Sequence, residues 1–201
     1  MEEEQIIIGK GTWLDKVADA LVKREQRLGR KLDLVSVESG LGASGIPHIG
    51  SMGAAVRAYG IALALENMGY RSELIAYSDD MDGLRKIPAG LPEWLGEHIA
   101  RPVSEIPDPF GCHPSYGAHM SSLLLEGLDR AGIKYRFQSG REAYRTGKLV
   151  KQIDAILQSS ARLGKKIAEF VGQEKYVSVL PYFPVCSKCG RLYTAVAEKY
   201  L

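Results

Sequence analysis

The chain has 201 residues, of which 45% are hydrophobic and 25% charged, with a formal net charge of +2. That length allows one domain or one and a fraction, and the composition is that of an ordinary soluble globular chain, while the near-neutral balance points to no partner. Three cysteines are too few for a disulfide framework, no run of 18 apolar residues reads as a membrane span, and Met1 is followed by three glutamates rather than a signal peptide's basic start, so a cytoplasmic location is expected.

Residues 12–28 read as a helix. Thr12 and Asp15 have the spacing of a capping box, and Trp13, Val17, Leu21 and Leu28 form an apolar stripe. Asp33 to Glu38 is the first expected strand. It runs into a glycine-rich turn, Ser39-Gly40-Leu41-Gly42-Ala43-Ser44-Gly45-Ile46-Pro47-His48-Ile49-Gly50. Glycines at this density let the backbone approach a ligand closely and take positive φ. A helix start just beyond them offers unpaired N–H groups to a phosphate. The glycine spacing is not that of the dinucleotide fingerprint.

The segment from His48 to Met68 reads as a second helix, with Ile49, Met52, Val56, Tyr59 and Leu63 on one face and Gly69 as its stop. Glu73 to Tyr77 is a second strand. Residues 78–114 then form a long loop with six prolines and a short helical candidate over Glu93 to Ile99. Long loops in compact domains tend to be functional or disordered. Within this one, Asp79, Asp80 and Asp82 could hold Mg²⁺ or an ammonium group, or form polar turns. Cys112 and His113, with His119 downstream, could suggest a metal site or a nucleophile beside a histidine; a packed loop over the active site remains the blander alternative.

Residues 115–131 read as a third helix and Ile133 to Gln138 as a third strand. A short helix opens at Ser139 or Arg141, and Leu149 to Val171 reads as one long helix. From Tyr176 the chain is expected to be extended, ending in Cys186-x-x-Cys189-Gly190, half of a zinc knuckle. Between Arg130 and Lys175 eleven Lys/Arg stand against four Asp/Glu, either a solvated helical face or a surface for nucleic-acid phosphates.

Alternating strands and helices imply βαβ units and a parallel sheet, with ligands at the carboxyl ends of its strands. The Gly40–Gly50 turn and the Ser78–Asp82 segment would then meet in one crevice. The expected architecture is an α/β, Rossmann-like half-domain over 1–172, including the 78–114 insertion, followed by an extended segment over 173–201.

Three runs together resemble the archaeal-type class I lysyl-tRNA synthetases, over about Trp13 to Gly190. They are the Glu-Ser-Gly turn leading to Ser44-Gly45-x-x-His48-x-Gly50; Asp79-Asp80-x-Asp82-x-x-Arg85-Lys86-x-Pro88; and Pro102-Val103-Ser104-Glu105-x-Pro107-Asp108-Pro109-x-Gly111-Cys112-His113-x-Ser115-Tyr116. Within the superfamily, His48-Ile49-Gly50 is similar to the signature that holds ATP phosphates. The resemblance implies that His48, Gly50 and Ser51 lie at those phosphates, with His48 and Ser51 serving catalysis, and that Gly42, Ser44 and Gly45 complete the nucleotide cradle. It implies that Gly40 and Gly42 line an amino-acid pocket with Asp79 and Asp80 nearby, and that Cys186 and Cys189 are the first half of a structural zinc site.

The sequence departs from the family pattern at Ala43 (commonly proline), at Gly42 (commonly threonine) and at Ser51 (commonly asparagine or histidine). No Lys-Met-Ser-Lys-Ser-type loop occurs, and no anticodon-binding domain is recognised. The expectation is therefore the amino-terminal part of a class I lysine–tRNA ligase, as a fragment or a split or shortened form. It would use ATP and Mg²⁺, lysine and tRNA, with Zn²⁺ where a second ligand pair is supplied. A separate carboxy-terminal half, carrying the second signature loop and the anticodon-binding domain, is the implied protein partner. A non-catalytic nucleotide- or amino-acid-binding paralogue, or an accessory module, is the alternative.

Overall fold

The computed structural model describes residues 11–201. They form two compact units. The first comprises the described residues up to Asp79 together with His119–Ser139; the second comprises Asp80–Ala118 and Gly140–Leu201.

The first unit is built on a three-stranded sheet of order β1-β2-β3, with β1 Val35–Leu41, β2 Ser72–Ser78 and β3 Arg136–Ser139. Both pairings are parallel, with Gly40 opposite Tyr77 and Ser78 opposite Ser139. Asp79 N–H donates to the Leu41 carbonyl at 3.0 Å, carrying the β1–β2 ladder one residue past the strands. This is the parallel α/β arrangement of a Rossmann-like fold. Strand β1 runs three residues further than expected, so Gly40 lies in the ladder rather than in the turn. Strand β3 starts three residues later than expected; Ile133 precedes it and is buried in the core.

Helix α1 spans Trp13–Arg27, and its capping box is formed as the spacing predicts: Asp15 N–H donates to Thr12 Oγ1, and Thr12 N–H donates to Asp15 Oδ2 at 2.7 Å. The buried face is not the expected stripe. Ala18 and Val22 are buried, with Leu14 and Leu21 packed beside them, while Trp13, Val17 and Leu28 are exposed. The reason lies in α2, Ile49–Asn67. A Cβ on Gly60 would stand 2.8 Å from Leu14 Cδ1, so this glycine admits Leu14, and α1 turns its small-residue side inward.

Helix α2 likewise buries a different surface from the one expected. Ile49 and Val56 are exposed, whereas Ala55 and Ala58 join Leu41, Leu74, Ala76, Leu124, Leu128 and Ile133 in one apolar cluster. Ala64 and Leu65 join Ala18, Val22 and Val35 in another. A helix packed on two sides buries small residues around much of its circumference, and a single-stripe reading then fails.

In the second unit, residues 80–118 are not a structureless loop. The Leu84 carbonyl accepts the Ala100 N–H at 2.7 Å, the Leu84 N–H donates to the Arg101 carbonyl at 3.0 Å, and Gly83 bridges Pro102. Short 3₁₀ turns run over Glu93–His98 and Val103–Glu105. Leu84, Leu95, Val103, Ile106 and Tyr116 are fully buried. Helix α3 spans Tyr116–Arg130, of which the residues from His119 onward belong to the first unit, and α4, Gly140–Arg145, belongs to the second.

The expected long helix is broken into α5 Val150–Gln158 and α6 Ser160–Val171 at Ser159, whose φ/ψ of −99°/5° ends one helix and opens the next. Serine's hydroxyl competes for backbone groups and favours such breaks. Helix α6 ends at Gly172 in the left-handed region. A short α7, Lys175–Ser178, replaces the extended chain expected from Tyr176.

Candidate functional site

The Gly40–Gly50 turn leaves the carboxyl end of β1 and enters α2. Its glycines do not have positive φ; that region is occupied by Gly11, Gly29, Gly69 and other turn glycines, but not by Gly40, Gly42, Gly45 or Gly50. Two of them are instead small because something stands close. A Cβ on Gly40 would lie 3.1 Å from Asp79 Oδ2, and one on Gly50 would lie 2.7 Å from His48 Cε1. Around Gly42 and Gly45 there is open space.

His48 is the N-cap of α2. Its Nδ1 accepts from the Gly50 N–H at 3.0 Å. A ring nitrogen that accepts carries no proton, so in the neutral ring the hydrogen sits on Nε2, leaving that atom as the donor. The N–H of Ser51 donates to the His48 carbonyl at 2.9 Å. The helix start therefore satisfies the Gly50 and Ser51 N–H groups internally, where the sequence led us to expect both unpaired. A phosphate reaching them would have to displace the His48 ring from Gly50. His48 is exposed; Ser44, Gly45 and Ser51 are half-buried.

Asp79 and Asp80 have different surroundings. Asp79 closes the β1–β2 ladder beside Gly40. Asp80 is buried, and its Oδ1 accepts the Arg141 N–H of α4 at 2.7 Å. Arg141 in turn donates through Nε to Glu105 Oε1 at 2.7 Å. Asp82 is exposed and 4.0 Å from Arg85.

Sequence reading named Asp108 within the resembling run but did not count it as a ligand candidate beside Cys112 and His113. Asp108 Oδ2 accepts the N–H groups of Cys112 and His113 at 2.9 and 2.8 Å. The Cys112 sulfur lies 3.2 Å from His113 Nδ1. The ligand-type atoms of Asp108, Cys112 and His113 all fall within 4.8 Å of one another, a spacing that suits a metal ion. Burial and the Asp108 carboxylate push the Cys112 thiol up from its ordinary value. An aspartate four residues before a Cys-His pair, inside Pro-Asp-Pro, was the available signal.

At the knuckle, Gly190 N–H donates to the Cys186 carbonyl at 2.8 Å and Cys186 N–H to the Arg191 carbonyl at 2.9 Å. Gly190 takes φ +68° to close the turn. The Arg191 backbone N–H, the Thr194 hydroxyl and Cys186 lower the Cys189 thiol to about 7. Two cysteines in a tight turn, one readily ionised, fit half of a tetrahedral zinc site. Among the described residues no third histidine, cysteine or carboxylate groups with them. The Arg191 side chain ties the knuckle down, donating to the carbonyls of Glu97 (2.8 Å) and Ile99 (3.1 Å), while Leu192 N–H donates to Ala100 O at 2.7 Å.

Residues 11–201 match the family model described as tRNA synthetases class I (K). The chain is 63% identical over 194 residues to a lysine–tRNA ligase of Cenarchaeum symbiosum (strain A), covering 96% of this chain and 37% of that protein. It is 31% identical over 212 residues to a lysine–tRNA ligase of Haloarcula marismortui, with the same two coverages, and 34% identical over 188 residues to one of Rickettsia akari, covering 92% of this chain and 35% of that protein. The chain thus spans little more than a third of the length of these relatives. Its parallel α/β sheet is consistent with the Rossmann-like fold of class I synthetases. The chain belongs to the class I tRNA synthetase family, lysine type. No helix among the described residues is long and apolar enough to cross a membrane.

Proposed function

We propose that this chain supplies the amino-acid-activating part of a class I lysine–tRNA ligase, acting in the cytoplasm with ATP and Mg²⁺. In the proposed reaction a lysine carboxylate oxygen attacks the α-phosphorus of ATP, pyrophosphate leaves, and lysine passes from the adenylate to tRNA. Residues 1–172 act as the catalytic half-domain, and 173–201 carry the knuckle. The remaining length of the relatives suggests where a second signature loop and an anticodon-binding domain would come from, in the same chain or in a separate partner.

The observation that carries this reading is the apposition of Gly40 and Asp79 at the carboxyl ends of β1 and β2. A carboxylate there, kept clear of any Cβ, suits the ammonium group of an amino acid. Gly42 lines the same pocket. Asp80 enters as a positioning residue, because its Oδ1 is held by Arg141 N–H. His48 donates from Nε2 to a phosphate oxygen, Gly50 and Ser51 flank it, and Ser44 and Gly45 contribute backbone to the nucleotide. Such a site works by positioning and by stabilising charge on the transferring phosphoryl group. Cys186 and Cys189 hold Zn²⁺ once a second ligand pair joins them, and Zn²⁺ there would be structural.

The test is lysine-dependent ATP–pyrophosphate exchange, run on this chain alone and mixed with the carboxy-terminal half of a related ligase. Exchange that requires lysine, in either sample, supports the proposal. No exchange in both samples favours a binding module without catalysis.

A further inference from the structure

The second unit holds two kinds of cation. Arg141 is paired with Glu105 at 2.7 Å and Lys148 with Glu142 at 3.9 Å. Lys175 stands over the Phe183 ring, 4.5 Å from its centroid. By contrast, Arg145, Lys151, Arg162, Lys165 and Lys166 are exposed and have no ion-pair or hydrogen-bond partner for their side chains among the described residues. Three of these share one face of α6, at i, i+3 and i+4, within about 6 Å along the helix axis. A single acid, Glu169, lies on that face one turn further on.

The opposite side of α6 is already occupied. Gly164 is buried, and a Cβ there would stand 1.8 Å from the Tyr176 carbonyl oxygen, so α7 is seated directly on the helix. Helix α6 confines its large exposed apolar side chains, Phe170 and Val171, to its last two positions, beyond the Arg162–Lys166 stretch. What it presents is a fixed row of positive charges, which fits a partner carrying phosphates at regular intervals.

We infer that the Arg162–Lys165–Lys166 face of α6 is an RNA-phosphate docking surface. The choice of RNA among polyanions rests on the ligase reading above; the placement on α6 rests on the unpaired cations.

The experiment measures fluorescence-anisotropy titration of the full chain with tRNA across a salt series. It compares the wild type, the triple variant Arg162→Glu/Lys165→Glu/Lys166→Glu, and a control, Lys16→Glu/Lys23→Glu/Arg27→Glu on α1, which changes net charge equally. A neutral set, Arg162→Gln/Lys165→Gln/Lys166→Gln, is read in place of the reversal if circular dichroism shows that the reversal unfolds α6. The expected result is at least a tenfold weaker affinity for the α6 variant alone, with a salt slope smaller by about two to three. Equal losses in the α1 control, no loss in the α6 variant, or binding of phosphatidylserine vesicles without binding of tRNA would each overturn the inference. Pyrophosphate exchange on the same proteins reads the ligase proposal separately, since α6 is not assigned to lysine or ATP.

Discussion

Asp79 Oδ2 stands 3.1 Å from the position a Cβ on Gly40 would take. Neither residue is strained: Gly40 is an extended strand residue in register with Tyr77, and Asp79 extends the ladder through Leu41. Glycine is needed at position 40 for space, not for conformational freedom.

That relationship predicts the behaviour of Gly40→Ala. The added methyl forces the Asp79 carboxylate to move by a few tenths of an ångström, while the strand tolerates alanine. Lysine binding, read by calorimetry, should weaken about tenfold, about 1.4 kcal/mol, with little change in the unfolding midpoint. Lysine affinity unchanged in a folded variant would remove Asp79 from the pocket.

How far the sequence revealed this site can be judged residue by residue. The capping box of α1, the parallel strands and the turn into His48 were legible, because each is written in local spacing. The buried faces of α1 and α2 were not, because Gly60 and the alanines of α2 carry little hydrophobic signal yet set how closely the helices approach. The break at Ser159 was hidden inside a continuous apolar period. The internal satisfaction of the α2 start was also invisible, since it depends on the ring orientation of His48 rather than on residue type. Asp108, within the Pro102–Tyr116 run, was not read as a ligand candidate because a carboxylate within Pro-Asp-Pro reads as a turn.

Gly50→Ala tests the histidine cap. The new Cβ would fall 2.7 and 2.9 Å from His48 Cε1 and Nδ1, so the ring must leave the Gly50 N–H. Loss of an N-cap costs about 1 kcal/mol. In ¹⁵N spectra of the wild type, neutral His48 should show an unprotonated Nδ1 and a protonated Nε2, and Gly50→Ala should lose that preference. A wild-type ring protonated at Nδ1 would contradict the cap and the donor role assigned to Nε2.

Gly164→Ala should be among the most damaging single-methyl changes in the second unit. Its Cβ would overlap the Tyr176 carbonyl, a backbone atom with no rotamer to change. Overpacking of this kind costs about 1–3 kcal/mol, and urea unfolding should show a lowered midpoint. Ala161→Gly on the exposed side of α6 should cost about 1 kcal/mol through helix propensity alone, so Gly164→Ala should exceed it. Equal or smaller destabilisation by Gly164→Ala would mean that α7 does not sit on this glycine.

The acid limit of the first unit offers a test of the sheet itself. The bidentate Arg136 guanidinium, with Nε and Nη2 each 2.9 Å from Glu73, and the Ser36 hydroxyl hold the Glu73 carboxyl at about 2, against 4.5 ordinarily. A lowered folded-state value means that the unfolded chain binds the proton more readily. The stabilisation is therefore complete above about pH 4.5 and is lost as pH falls towards about 2. Arg136 is half exposed, so solvent screening keeps the pair near the surface range of about 1 kcal/mol or below. Because Ser36, Glu73 and Arg136 lie on β1, β2 and β3 respectively, this one carboxylate pins all three strands near their amino ends. Glu73→Gln should lower the stability of the first unit at pH 7 and flatten its dependence on pH between 4.5 and 2, leaving wild type and variant equal at the acid end. A variant whose deficit persisted unchanged at pH 2 would show that Glu73 acts through packing rather than charge.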